Sequence, residues 1–131
     1  PWNCLLGEES NGYVAKMGKR RVMKPYSSIQ RANTTAGFYY KYCKFSNLLA
    51  KDTLVALMRG DGASWQIGVD HSAEYKKQMQ NERKREVSPG KWRYEVVKKH
   101  HGNHLWDCEV MQIVAASIYK VFNFDAEADG V

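Results

Sequence analysis

The run from Leu105 to Phe122 is the most apolar part of the chain and is hydrophobic around most of a helical circumference. That pattern predicts a long C-terminal helix that is buried rather than laid on a surface. A chain of 131 residues is the right size for one domain, and no second apolar centre or internal repeat competes with this one. No run of about 18 apolar residues exists, which excludes a spanning helix.

Upstream of that run, strand and helix patterns alternate. Phe38 to Phe45 is dense in aromatics, with Phe38, Tyr40 and Tyr42 alternating against Tyr39, Lys41 and Cys43, as in a strand. Leu48, Leu49, Leu54, Val55, Leu57 and Met58 then form one helical stripe, with Ser46 or Asn47 as its cap and Gly60 as its stop. Ser64 to Val69 reads as a short strand. A second helix is expected from Asp70 or Ser72 to about Glu86, with Tyr75, Met79 and Glu82 on one face. Pro89-Gly90 breaks it, and Lys91 to Lys98 reads as a strand carrying Trp92, Tyr94 and Val96 on one side. Residues 1–37, rich in Gly, Ser, Asn and basic side chains, read as a loop-rich part, and residues 123–131 as an acidic, frayed tail. Alternating elements of this kind predict an α/β layer, a mixed sheet flanked by helices.

The formal charge is +6, and basic residues gather in Lys16 to Lys24, Lys76 to Arg85 and Arg93 to Lys99. Lys19, Arg20, Arg21, Lys24, Lys98 and Lys99 are therefore candidates for contacting a polyanion, although lysines also simply solubilise a surface. Three cysteines, an odd and sparse set, suit reduced thiols in a cytoplasm better than a disulfide framework. The mean hydropathy of −0.60 suits a soluble protein, and the start at Pro1 reads as that of a fragment or processed piece.

Asp107 is the strongest candidate for chemistry, because it projects from the first turn of a rigid helix where a carboxylate suits the helix dipole. On spacing alone, a favourable first-turn acid with no further role is the commoner explanation. His101, His104 and Asp107 recur every three residues and His104 stands four before Cys108, spacings that can converge on an ion. Without any C-x-x-C pair, a structural zinc site is disfavoured. Neither a P-loop nor a G-x-S-x-G elbow is present. Cys108 on an apolar helix reads as core. Tyr39, Tyr40 and Tyr42 read first as core and second as a platform for stacked bases.

Four segments, in order, resemble the C-terminal nuclease region of phage terminase large subunits of the GpA type. These are Leu49-Ala-Lys51-Asp52-Thr-Leu54, Tyr75-Lys-Lys-Gln78-Met79-Gln-Asn-Glu82, Gly90-Lys-Trp92, and Asn103-His104-Leu-Trp-Asp107-Cys108-Glu109-Val110 with Ala115-Ala116. The last is the most specific, and together they span about residues 38–122. The resemblance implies a partial ribonuclease-H-like domain, within a metal-dependent DNA endonuclease of viral DNA packaging in the cytoplasm of a bacterial host. It implies duplex DNA as substrate, with an ATPase motor, a small terminase subunit and a portal as partners. Acids holding two Mg²⁺ or Mn²⁺ ions would activate water and stabilise the leaving oxygen. By the same resemblance Asp107 and Glu82, which matches a recurring acid, are the catalytic residues, Asp107 and His104 are the metal residues, and Asn103 borders the site. The family's first acids lie on early strands, whereas Glu8 and Glu9 are the only early carboxylates here. The resemblance therefore implies a piece that is weak or inactive alone. A non-catalytic basic nucleic-acid-binding module and a purely structural interaction domain are the alternatives.

Overall fold

The computed structural model describes residues 3–62 and 65–121. Its elements run β1 (Asn3–Glu8), β2 (Tyr13–Met17), β3 (Arg20–Lys24), β4 (Gln30–Asn33), β5 (Tyr39–Ser46), α1 (Asn47–Met58), α2 (Ala73–Met79), β6 (Glu82–Ser88), β7 (Lys91–Val96) and α3 (His104–Ile118). A 3-10 turn at Lys99–His101 leads into α3. The chain is mixed α/β, with three helices and small sheets among the described residues.

The aromatic run becomes the central strand of the largest sheet. β5 lies parallel to β1, with Leu5 opposite Cys43, and antiparallel to β4, with Gln30 opposite Tyr42. β2–β3 and β6–β7 are separate two-stranded antiparallel ribbons. β5 runs straight into α1 because Ser46 is extended and its hydroxyl accepts the Leu49 N–H at 3.2 Å, satisfying one free donor of the first turn. Ser72 caps α2 in the same way through Tyr75 N–H at 3.0 Å.

Phe45, Ala50, Leu54, Leu57, Met79, Trp106, Val110, Ile113 and Val114 form one core. In α3 the buried positions are Trp106, Val110, Ile113 and Val114, a single helical stripe, while His104, Cys108, Met111 and Gln112 face outward. The expectation of a helix covered on most sides is thus corrected. α1 and α2 pack on one face of α3, leaving Cys108 exposed rather than in the core. Phe122 and the acidic tail 123–131 lie outside the described residues.

Three further expectations change. Four strands lie inside the stretch 1–37 read as loop-rich, because their stability comes from backbone pairing that leaves no strong apolar period. The second helix stops at Met79 instead of about Glu86, and Glu82 opens β6 rather than sharing a helical face with Tyr75 and Met79. Pro89-Gly90 is consequently the turn of a hairpin, with Gly90 at φ +75°. The segment Trp65–Gly68 has no strand, and Val69–Asp70 is a turn.

Phenol–carboxylate hydrogen bonds tie outlying pieces to the centre. Tyr75 donates to Glu109 across α2 and α3 at 2.9 Å, Tyr94 of β7 donates to Asp52 of α1 at 2.8 Å, and Tyr13 of β2 donates to Glu8 of β1. Burial, and then the adjoining carboxylate, push the Tyr13 and Tyr75 phenols up to about 12 and raise Tyr94 as well. No described helix is long and apolar enough to cross a membrane.

Candidate functional site

Lys51 lies beside Ala50 on the buried side of α1, three residues before Leu54, and is carried into the interior by that stripe. Its ammonium meets Glu82, the first residue of β6, at 2.6 Å, and the Glu82 side chain is only 2% exposed. The other Glu82 oxygen accepts from the Asn103 amide at 2.8 Å. Both oxygens of this buried carboxylate are therefore occupied, as a buried charge requires.

Asp107, one turn into α3, is the third charged member. Its carboxylate stands 3.9 Å from Lys51 and remains 45% exposed. Partial burial raises its pKa above the ordinary carboxylate value. Lys51 opposes that shift, Glu82 adds to it and His104 opposes it. The contact with Lys51 and the upward shift point in opposite directions. Burial prevails, because the ammonium is committed to Glu82 at 2.6 Å and approaches Asp107 only to 3.9 Å.

The backbone around this cluster is held by two buried amides. The Gln78 carbonyl oxygen accepts the Leu105 N–H at 2.8 Å, which takes up a free donor at the start of α3. Asn81 donates to the carbonyls of Lys98 at 2.9 Å and Gly102 at 2.7 Å, and accepts from Lys98 N–H at 2.8 Å. The segment that delivers Asn103 and Asp107 is thus clamped onto the α2–β6 junction. Neighbouring Trp106 buries its indole N–H with no acceptor among the described residues, a cost that core packing has to offset.

Glu82 also lines a groove of about 390 Å³, together with Asp52, Arg59, Arg83, Lys84 and Tyr94. Lys84 pairs with Asp52 there at 2.9 Å.

The candidate residues fall in three places. Asp107, Glu82 and Asn103 come together, with the exposed His104 at the margin. Lys19, Arg20 and Arg21 lie exposed on the β2–β3 ribbon, and Lys24 at its base stands over the Tyr26 ring at 5.6 Å. Lys98 and Lys99 are exposed where the chain enters the 3-10 turn. Sequence reasoning does not single out Lys51, Gln78 and Asn81 as site residues. A lysine three positions before a buried leucine is a legible signal for Lys51, whereas nothing in the pattern marks Gln78 or Asn81 as buried.

The metal-binding capacity of this set is limited. Among the described residues no three of His, Cys, Asp and Glu gather as a metal-holding group. Asp107 and Glu82 offer two carboxylates, and Glu82 is already engaged by an ammonium and an amide. The donors present do not suffice for two divalent ions. No family model, curated protein or solved structure matches the chain.

Proposed function

We propose that this chain is part of the nuclease region of a phage terminase large subunit, contributing one wall of a metal-dependent DNA endonuclease site. The observation that carries the reading is convergence. Lys51, Glu82, Asn103 and Asp107 belong to three separate segments that resemble the family, lie far apart in sequence, and meet in one cluster. A structural ion pair needs no partly exposed third charge. Asp107 is that charge, aimed outward from a rigid helix and less comfortable when ionised than a free carboxylate.

In this reading Asp107 is the metal-facing ligand, and Lys51 with Glu82 and Asn103 sets its surroundings. The sheet β1–β5–β4 with α1 and α3 forms part of a ribonuclease-H-like layer, and Mg²⁺ or Mn²⁺ is the metal. Further acids, beyond Asp107 and Glu82, complete the ligand set. Duplex DNA is the substrate, and the packaging motor, small subunit and portal are the partners.

Calorimetric titration with Mn²⁺ tests the ligand role. The wild-type chain should release binding heat that Asp107→Asn abolishes, and equal heats from both would refute Asp107 as a ligand.

A non-catalytic single-strand binder is favoured by one different observation. Phe38 and Tyr39 are exposed, and the Arg31 guanidinium stacks on Tyr39 at 3.7 Å. That reading predicts tighter binding to single strands than to duplex, and no divalent-metal requirement.

A further inference from the structure

The β2–β3 ribbon concentrates basic charge in a stretch of sequence without acids. From Ser10 to Lys51 the sequence contains no acidic residue and nine lysines and arginines. Five of them, Lys16, Lys19, Arg20, Arg21 and Lys24, lie on this one ribbon. On the β6–β7 ribbon the cations have acidic neighbours, with Lys84 paired to Asp52 and Arg85 and Arg93 to Glu95, whereas Lys76, Lys77, Lys98 and Lys99 are exposed without an ion pair among the described residues. On the β2–β3 ribbon no cation has an ion pair among the described residues.

The register makes this arrangement costly. Lys16 stands directly opposite Arg21, so two like charges share one face of a ribbon whose other extensive contacts are only internal. Like charges in that position destabilise a strand pair. Val14 and Met23, the next pair on that face, are also exposed. A ribbon serving solubility alone would gain from interspersed acids and would not present bare apolar side chains between its cations.

Its base, by contrast, is firmly held. Tyr13 donates to Glu8, and the Ser10 carbonyl accepts from the Ser46 hydroxyl at the head of α1. Gly12, at φ +112°, brings the chain against the side chains of Met23 and Leu49, where a Cβ would collide. A fixed base and a free cationic end with Gly18 at its turn describe a projecting arm.

We propose that this arm enters the major groove of duplex DNA, with Lys16, Lys19, Arg20 and Arg21 on the phosphates and groove edges. A two-stranded antiparallel ribbon fits that groove, and neutralising phosphates repays the repulsion between Lys16 and Arg21. The inference shares the duplex partner of the proposed function but depends on none of its metal chemistry.

The test uses the full chain in EDTA, with fluorescent duplex and single-stranded probes between about 50 and 200 mM salt. The variant Lys16→Gln/Lys19→Gln/Arg20→Gln/Arg21→Gln should lower the magnitude of the salt slope by about 3 to 4, close to one for each phosphate that is no longer neutralised. Lys76→Gln/Lys77→Gln, at two exposed positions of α2, serves as the control for charge removed off the arm, and circular dichroism confirms that both variants are folded. Methylation of guanine N7 should weaken wild-type binding and leave the arm variant unaffected. An unchanged slope in the arm variant, a preference of the wild type for single strands, or indifference to N7 methylation would each overturn the arm. Failure of the metal reading would instead appear as Mn²⁺ binding that survives Asp107→Asn, with duplex binding intact.

Discussion

One ammonium cannot serve two carboxylates equally when it sits 2.6 Å from Glu82 and 3.9 Å from Asp107. Asp107 is left with partial burial and weak compensation, so its pKa rises in the folded chain. The consequence for stability has a definite sign. An acid whose folded pKa is raised favours folding while protonated. That contribution is fully present below its unfolded value of about 4 and is lost as pH rises through the higher folded value. The ionised form therefore costs the fold at neutral pH, and Asp107→Asn should raise the melting temperature near pH 7. The gain should vanish at about pH 3, where the wild-type carboxyl is itself neutral. Melting curves at the two pH values measure it, and a variant less stable than wild type near pH 7 would contradict it. Asp107 was legible in the sequence because a charged residue opening an apolar helix stands out against its background. Its dependence on Lys51 and Glu82 was not, since the ion pair joins residues 31 positions apart.

At the scale of elements, the junction between α2 and β6 decides where those side chains go. Asn81, buried at 3% exposure, satisfies two carbonyls and one N–H of the segment 98–102. Asn81→Ala would leave those backbone groups unpaired away from water. We expect a loss of about 1–3 kcal/mol in urea unfolding, and a loss below about 0.5 kcal/mol would show that the clamp is dispensable. This junction also explains the expected helix running to Glu86. Charged residues from Glu82 to Glu86 fit a helix and an exposed strand alike, and only the pairing with β7 selects the strand. The starts of α1 and α2 were readable because a hydroxyl cap is a local device. The N-terminal strands were not, because β1 pairs with a partner some 40 residues away and carries no strict alternation.

For the whole molecule, one core joins α1, α2 and α3 to the end of β5. Apolar content identified α3 as the centre of that core, but not the number of its faces that would be covered. That number depends on how many layers exist to cover them, and here only one side of α3 is packed. The same geometry leaves the head of α3 open, so Asp107 faces outward beside a cluster that is otherwise closed. In the proposed function, this opening is part of a nuclease site. Mn²⁺-dependent conversion of supercoiled plasmid to nicked circles tests it most directly, comparing wild type with Asp107→Asn at matched concentration. Any nicking by the wild-type chain should be slow and should disappear in the variant, and nicking by Asp107→Asn at the wild-type rate would contradict the reading.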